Sequence, residues 1–413
     1  MGSEQSSAAR IGDVAEVGDV RPLDGVRVLT LENYVAAPLA TMLLADWGAD
    51  VVKIEPPNGD AYRRFPPVTE RDGHRTSASF ARINRNKRSV VLDVRTDAGR
   101  DSFLRLVEHA DVVVENLRPG TLDRIGIGYR AMRTRNPRIV VVSLSGFGQP
   151  DVRPGPFIER PALDLVGQAV SGLSYAVGGE GEQPHYLGLP LVDTATADWG
   201  AIATLLGLTW RDRTGRGQHL DISMYDVAMH LNEYNLGYFG MFKRNPPRGR
   251  MPSSAPFDYF RAEDGWYALA ISGEGTWERL STAIGHPELA QDPSLADGTR
   301  RADVVESRLR PLIEEWSSRM PVDKVCEALS QYDVPASPAH QPSDVFDCGH
   351  AAARRAWVDV PDPALGAVRV VANPVKSDQM PADRLTAPPQ LGADTEEVLR
   401  TWTARPGDGS EPA

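Results

Sequence analysis

Val26-Arg-Val-Leu-Thr-Leu31 and Asp50-Val-Val-Lys-Ile-Glu55 are short β-branched runs separated by a segment whose apolar residues fall three and four apart. The same kind of run returns at Ser89-Val-Val-Leu-Asp93, Asp111-Val-Val-Val-Glu115 and Arg138-Ile-Val-Val-Val-Ser143. Strand-like runs alternating with amphipathic segments specify an α/β fold with a parallel sheet. Between two of these runs, Phe103, Leu104, Leu106 and Val107 form the apolar stripe of a helix over Asp97–Ala110, with Arg100, Asp101, Arg105 and Glu108 toward water. The organisation is Rossmann-like, yet the first strand leads into Glu32-Asn-Tyr-Val-Ala-Ala-Pro-Leu39 rather than a G-x-G-x-x-G turn. An NAD-dependent dehydrogenase is therefore disfavoured.

Composition narrows the class. The chain has 413 residues, 41% of them hydrophobic, and a net charge of −11, enough for two domains and too acidic for a general nucleic-acid binder. The two cysteines, Cys326 and Cys348, with no CxxC, no HExxH and eight scattered histidines, argue against a disulfide framework or a metal site. The polar, acidic stretch 1–20 lacks the basic start and apolar core of a signal peptide, and no run is apolar over the roughly 18 residues a membrane span needs. A cytoplasmic protein with a mobile N-terminal tail, and neither nucleic acid nor membrane as partner, is expected.

The chemistry centres on Gly188-Leu-Pro-Leu-Val-Asp193-Thr-Ala-Thr-Ala, where one carboxylate ends an apolar run and opens a long helix rich in small residues. Asp193 is either the helix N-cap or a nucleophile that the helix N–H groups hold ionised. Lys53, Arg63, Arg95, Arg118 and Arg124 stand near strand ends, where an open α/β sheet binds ligands and where arginine suits phosphate. Thr214-Gly-Arg-Gly-Gln218 follows a helix and precedes a strand, so it reads as a glycine C-cap and turn. Gly178-Gly-Glu-Gly-Glu182 lacks the context of a P-loop and reads as a flexible loop.

Proline and glycine mark the domain boundaries. Asn245-Pro-Pro-Arg-Gly-Arg-Met-Pro252 interrupts a helical run over 225–242, and Tyr259-Phe-Arg-Ala-Glu-Asp-Gly-Trp-Tyr-Ala-Leu-Ala270 carries a hairpin signal at Asp264-Gly265. Helical patterns follow over 276–284, 302–316 and 322–332. This gives a tail at 1–20, the first part of a large domain at 21–244, a linker at 245–256, a smaller α+β domain at 257–334, a linker at 335–345 and a C-terminal segment at 346–413.

Several motifs together resemble the class III CoA-transferases, which include formyl-CoA:oxalate and carnitine CoA-transferases. They are Gly48-Ala-Asp-Val-Val-Lys-Ile-Glu-Pro-Pro57, Asn86-Lys-Arg-Ser-Val-Val-Leu-Asp93, Asp111-Val-Val-Val-Glu-Asn-Leu-Arg-Pro-Gly120, Thr214-Gly-Arg-Gly-Gln218 and Ala387-Pro-Pro-Gln-Leu-Gly392. The resemblance implies that Asp193 is the nucleophile, forming an acyl-aspartyl anhydride and then an aspartyl-CoA thioester, with coenzyme A or acyl-CoA as substrate and no permanently bound cofactor. It implies CoA contacts from Val35, Ala36, Pro56, Leu92, Arg95, Asn116, Leu117, Arg118, Thr121, Arg124 and Ile125, with a further basic contact near Arg160. Asp164 matches an acidic position close to the site, its structural alternative being a capping residue in a packed turn. The resemblance also implies that the small domain is an insertion, that the C-terminal segment rejoins the large domain and that two chains interlock as a homodimer.

Two departures bear on substrate. Val35 stands where formyl-CoA transferases carry glutamine, and Arg248-Gly-Arg-Met-Pro-Ser-Ser-Ala-Pro256 lacks their closing glycine run, which disfavours formate and oxalate. The 2-methylacyl-CoA racemases of the superfamily place a histidine before the aspartate that corresponds to Asp164, whereas this chain has Leu163, and the nearest histidine, His185, lies in a loop. Transfer is thus favoured over racemisation, an intramolecular CoA isomerase stands as the alternative for a substrate that carries its own acceptor carboxylate, and the carboxylate at Asp193 speaks against a non-catalytic CoA-binding protein.

Overall fold

The computed structural model describes residues 20–364, 366–379 and 385–403, so the tail read at 1–20 lies outside it except for Val20. Six strands, β1 (Arg27–Leu31), β2 (Asp50–Glu55), β3 (Lys87–Val91), β4 (Val112–Glu115), β5 (Val140–Ser145) and β6 (Gln218–Ser223), form one sheet in the order β3-β2-β1-β4-β5-β6. Every pairing is parallel. The winding reverses between β1 and β4, the place where such sheets bind ligands.

Alternate side chains serve two cores. Val28, Val51, Val112, Val114, Val140 and Val142 pack with α1 (Ala36–Asp46) and with the long helix α3 (Leu191–Thr214). Leu29, Val52, Val90, Val113 and Val141 pack with Phe103, Leu106 and Val107 of α2 (Asp97–Val107). The apolar stripe read from the sequence is the buried face of α2, with Leu104 only half-buried. The C-terminal end joins this second core through Val398 and Trp402, whose indole Nε1 donates to Asp50 Oδ2 at 2.9 Å.

Small residues let α3 lie close to the sheet. A Cβ at Gly207 would come within 2.5 Å of Val140 Cγ1, and one at Gly200 within 3.0 Å of Leu144 Cδ2. Gly215, with φ 72°, ends the helix in the left-handed conformation and donates its N–H to Arg211 O, the cap predicted for the Thr214–Gln218 turn.

The chain divides into two compact units. One comprises the described residues up to Gly167, Pro190–Val227 and those from Arg355 onward, and the other comprises Gln168–Leu189 and Ala228–Arg354. These borders differ from those read from proline and glycine. The run Asn245–Pro252 lies inside the second unit because Arg248, 5% exposed, binds it to an earlier segment. Its guanidinium donates to the carbonyls of Tyr175 at 2.6 Å, Val177 at 2.7 Å, Gln183 at 3.1 Å and also Glu182. The Gly178–Glu182 segment is consequently a pinned loop rather than a flexible one.

In that second unit, strands Phe257–Arg261, Trp266–Ala270 and Ala336–Pro338 form an antiparallel sheet. Its core includes Phe260, Tyr267, Trp277, Leu280, Leu309 and Leu329. The Asp264-Gly265 turn is where the sequence puts it, but Ala336–Pro338, read as linker, is a paired strand. The helix read over 302–316 is broken by a π turn at Val305–Leu309, after which Arg310–Ser317 restarts with Pro311, which has no N–H to donate.

Candidate active site

The packing of α3 locates its first turn. Gly207 lies against Val140 at the start of β5 and Gly200 against Leu144 near its end. Seven residues further toward the N-terminus, about 10 Å of helix, carry Asp193 past the carboxyl edge of the sheet. Asp193 is the third residue of the helix and Pro190 occupies the N-cap position, so the capping alternative for Asp193 does not hold. Asp164 caps instead, its Oδ1 accepting the N–H of Val192 at 2.7 Å and of Asp193 at 3.1 Å.

That arrangement reverses one expectation. Backbone N–H groups were to hold Asp193 ionised, but Asp164 takes them, and the half-buried Asp193 carboxyl has no hydrogen bond or ion pair among the described residues. Burial, followed by the charge of Asp164, pushes its pKa up to about 7, while the Arg82 guanidinium pulls it partly back. Asp193 is therefore a more basic carboxylate than an exposed one.

The loops that follow four adjacent strands, β3, β2, β1 and β4, carry the expected CoA residues along the same edge of the sheet. Val35 and Ala36 open α1, both buried. Pro56 is exposed after β2, and Leu92 is half-buried after β3 with its N–H on Glu55 O at 3.0 Å. Arg95 is exposed and forks onto Asp93 at 2.8 and 3.0 Å. After β4, Thr121 Oγ1 accepts from Arg124 Nη2 at 2.9 Å, Ile125 ends that short helix, and exposed Arg118 has no side-chain partner among the described residues. Arg118 thus has all its donors available to a phosphate. Arg160 stacks on Phe157, its guanidinium carbon 3.9 Å from the ring centroid.

Two members of the expected set make local backbone and side-chain hydrogen bonds. Asn116 accepts the N–H of Asn33 at 2.9 Å and donates to Asn33 O at 2.8 Å, which makes it a clamp on the β1–α1 turn. The Leu117 N–H donates to Glu115 Oε2 at 2.8 Å. Burial, reinforced by Asp221 and Asp123, raises Glu115 to about 7 against the hydrogen bonds from Ser143 and Leu117.

Three of the five strand-end cations are ion-paired, Arg95 at the surface with Asp93 and the other two further in. Lys53 is fully buried, paired with Asp60 at 2.9 Å and Glu32 at 3.3 Å, and Arg63 is tied to Glu55 at 2.6 Å. Lys87 adds a second buried ammonium on Glu32 at 2.8 Å. Burial would raise the Glu32 pKa, but Lys87 and Lys53 together hold it at about 2. This buried knot anchors the start of the β1–α1 turn. Among the described residues, no group of three or more His, Cys, Asp or Glu side chains could hold a metal ion.

The sequence profile described as CoA-transferase family III matches residues 23–395. The chain belongs to that family. A succinyl-CoA:mesaconate CoA-transferase of Haloarcula hispanica is 37% identical over 371 residues, covering 89% of this chain and 93% of its own length. A formyl-CoA:oxalate CoA-transferase of Streptomyces avermitilis is 32% identical over 398 residues, covering 92% of this chain and 94% of its own. The crystal structure of a CaiB/BaiF family protein from Brucella suis aligns with TM-score 0.81 at 31% identity, over 93% of this chain and 100% of that one.

Within this family III CoA-transferase, sequence reasoning missed three contributors. Tyr34, with φ 61°, holds a left-handed turn that costs a non-glycine residue about 1–3 kcal/mol, and Asn33 and Asn116 brace it. Arg82 acts on Asp193 across more than a hundred residues of sequence, a relation no local pattern displays. Glu115 sits inside a quoted motif, but as an apolar strand's last residue it gave no sign of its hydrogen bonds.

Proposed function

We propose that this family III CoA-transferase moves CoA from an acyl-CoA to a carboxylic acid by covalent catalysis at Asp193. The observation that carries the reading is the Asp193 carboxyl, without a partner among the described residues, half-buried and raised to about 7, at the end of the sheet where Arg118 and its neighbours can receive a CoA phosphate. One Asp193 oxygen attacks the thioester carbonyl, the C–S bond breaks and CoA leaves as thiolate, producing an acyl-aspartyl anhydride. The thiolate attacks the aspartyl carbonyl of the anhydride and expels the donor acid as carboxylate, leaving an aspartyl-CoA thioester. An acceptor carboxylate attacks that thioester and releases the thiolate, which then attacks the acceptor's acyl carbonyl in the second anhydride and frees Asp193. No redox change occurs, and no resident cofactor enters the scheme. Leu163, 65% exposed, supplies no imidazole for racemisation.

The donor is a succinyl-type thioester and the acceptor a short dicarboxylic acid. Both named relatives act on a dicarboxylic acceptor, mesaconate or oxalate, and Val35 disfavours the smaller, more polar formyl and oxalyl groups. The working form is a homodimer. On α3, Trp199, Ile202, Leu205, Leu206 and Trp210 are 36–61% exposed, an apolar stripe that supports a partner chain.

Incubation with succinyl-CoA followed by hydroxylamine should leave a hydroxamate on the peptide containing Asp193, read by mass spectrometry. Asp193→Ala should lose about 10⁴-fold or more in transfer rate and all labelling. A variant with ordinary turnover would overturn the mechanism.

A further inference from the structure

Three neighbouring strands, β4, β5 and β6, bring together a hydrogen-bonded chain of side chains. Glu115 and Ser143 are partners across β4 and β5, and His219 and Asp221 stand two residues apart on β6, hence on one face. Ser143 Oγ hydrogen-bonds the Glu115 carboxyl and, at 2.9 Å, His219 Nε2, while His219 Nδ1 lies 3.2 Å from Asp151 Oδ2. Glu115 and Ser143 are 5% and 2% exposed and Asp151 is exposed, so the chain runs from a buried carboxyl to the surface. Its inner end borders a cavity of about 20 Å³ whose wall also includes Arg118 and Thr121. That volume takes about one water molecule and no substrate group, so what the chain can move is a proton.

Ser143 brings one hydroxyl proton to two contacts. With Glu115 ionised, Ser143 donates to it, and His219 must donate from Nε2 to Ser143 and from Nδ1 to Asp151, as an imidazolium. With Glu115 protonated, it donates to Ser143, Ser143 donates to Nε2, and a neutral His219 keeps its Nδ1–H on Asp151. Both arrangements satisfy every contact, and they differ only in where one proton sits. Without that proton, one contact sets two lone pairs against each other. Burial, then Asp221 on β6 and Asp123 on the helix after β4, favours the acid form of Glu115. The hydrogen bonds from Ser143 and from the Leu117 N–H at 2.8 Å favour its carboxylate, as does the Arg118 cation on the same cavity. Around His219 stand Asp151, Asp221 and the Tyr129 ring, 5.1 Å away between centroids. An anion that matches Arg118 therefore tips the balance toward protonated Glu115.

We propose that Glu115, Ser143 and His219 share one proton, and that a CoA phosphate binding Arg118 draws it from His219 onto Glu115, removing a negative charge from the wall of the phosphate site. The inference rests on the CoA reading above and adds how that site is regulated. The Nε2–H proton of His219 passes to Ser143 Oγ as the hydroxyl proton of Ser143 passes to Glu115, so the protein gains and loses none. At high pH the shared proton has left, and CoA meets an ionised Glu115 and binds less tightly. None of the three side chains takes part in bond making at the thioester.

The experiment uses the full chain labelled with ¹⁵N-histidine and free CoA as the probe. At about pH 7, CoA should shift the His219 ring signals toward the neutral form protonated at Nδ1 and increase the infrared band of a protonated carboxyl. Glu115→Gln mimics the acid through its amide N–H, so it should diminish that band and hold His219 neutral with or without CoA. Ser143→Ala should break the chain and leave His219 unresponsive to CoA. Calorimetry should show wild-type affinity for CoA weakening about 5- to 10-fold from about pH 7 to 8.5, and that of Glu115→Gln less than about 2-fold. A wild-type His219 unaltered by CoA, a band of undiminished size in Glu115→Gln, or the same pH dependence in both proteins would overturn the proposal and leave CoA transfer standing. Arg118→Met binding CoA as tightly as the wild type would remove the phosphate from Arg118 and overturn the proposal too. A wild type that binds no CoA would overturn the transfer reading itself.

Discussion

At Asp193, the physical tension is between a helix N-terminus, which favours a carboxylate, and burial beside Asp164, which disfavours one. Burial and the like charge win, and the group titrates near 7 rather than 3.8. A kcat/KM profile for a donor acyl-CoA should accordingly rise with pH through about 7 and level off above it, since the proposed mechanism requires the ionised carboxylate to attack. The same shift bears on stability. The folded protein binds this proton more tightly than the unfolded chain, so protonated Asp193 contributes stability that is fully present below pH 3.8 and lost as pH rises through 7. Asp193→Asn removes that dependence. Melting temperatures measured from pH 4 to 8 should show the variant gaining on the wild type as pH rises, and a constant difference would refute the assignment. The sequence made Asp193 conspicuous, but not which carboxylate caps the helix. Asp164 lies 29 positions away, and the competition between the two is settled by which one reaches the Val192 and Asp193 N–H groups.

Among the elements, α3 is the one that most constrains the site. Its glycines bring the helix onto β5 and so fix how far Asp193 extends beyond the strand. Gly207→Ala puts a methyl group 2.5 Å from Val140 Cγ1 and 3.0 Å from Leu220 Cδ1. It should destabilise the protein by about 1–3 kcal/mol, measured by urea unfolding, with transfer lowered in the surviving fold because the first turn is displaced. The sequence read this stretch as a helix rich in small residues without indicating why it is. The reason is a strand that is not its neighbour in the chain. The buried pairs of Lys53 and Lys87 with Glu32 follow the same logic, since Lys53 reads as a phosphate ligand until the β1–β2–β3 register brings both lysines to one carboxylate.

For the whole molecule, the proposed homodimer would cover the apolar stripe on α3. Sedimentation velocity at micromolar concentration should give a species of about twice 45.0 kDa, and replacing both Trp210 and Leu206 by glutamate should yield a monomer with a lower melting temperature. A wild-type monomer would remove the dimer from the proposal. What the sequence by itself determined was the alternation of strand and helix, the hairpin at Asp264-Gly265, the cap at Gly215 and a carboxylate opening a long helix, because each depends on side-chain period, turn chemistry or capping within a few residues. Only the tertiary structure decided the unit borders, the pinned Gly178–Glu182 loop, which cations stay unmatched and how basic Asp193 becomes. Those properties depend on burial and on partners far away in the chain, and neither is encoded in local spacing.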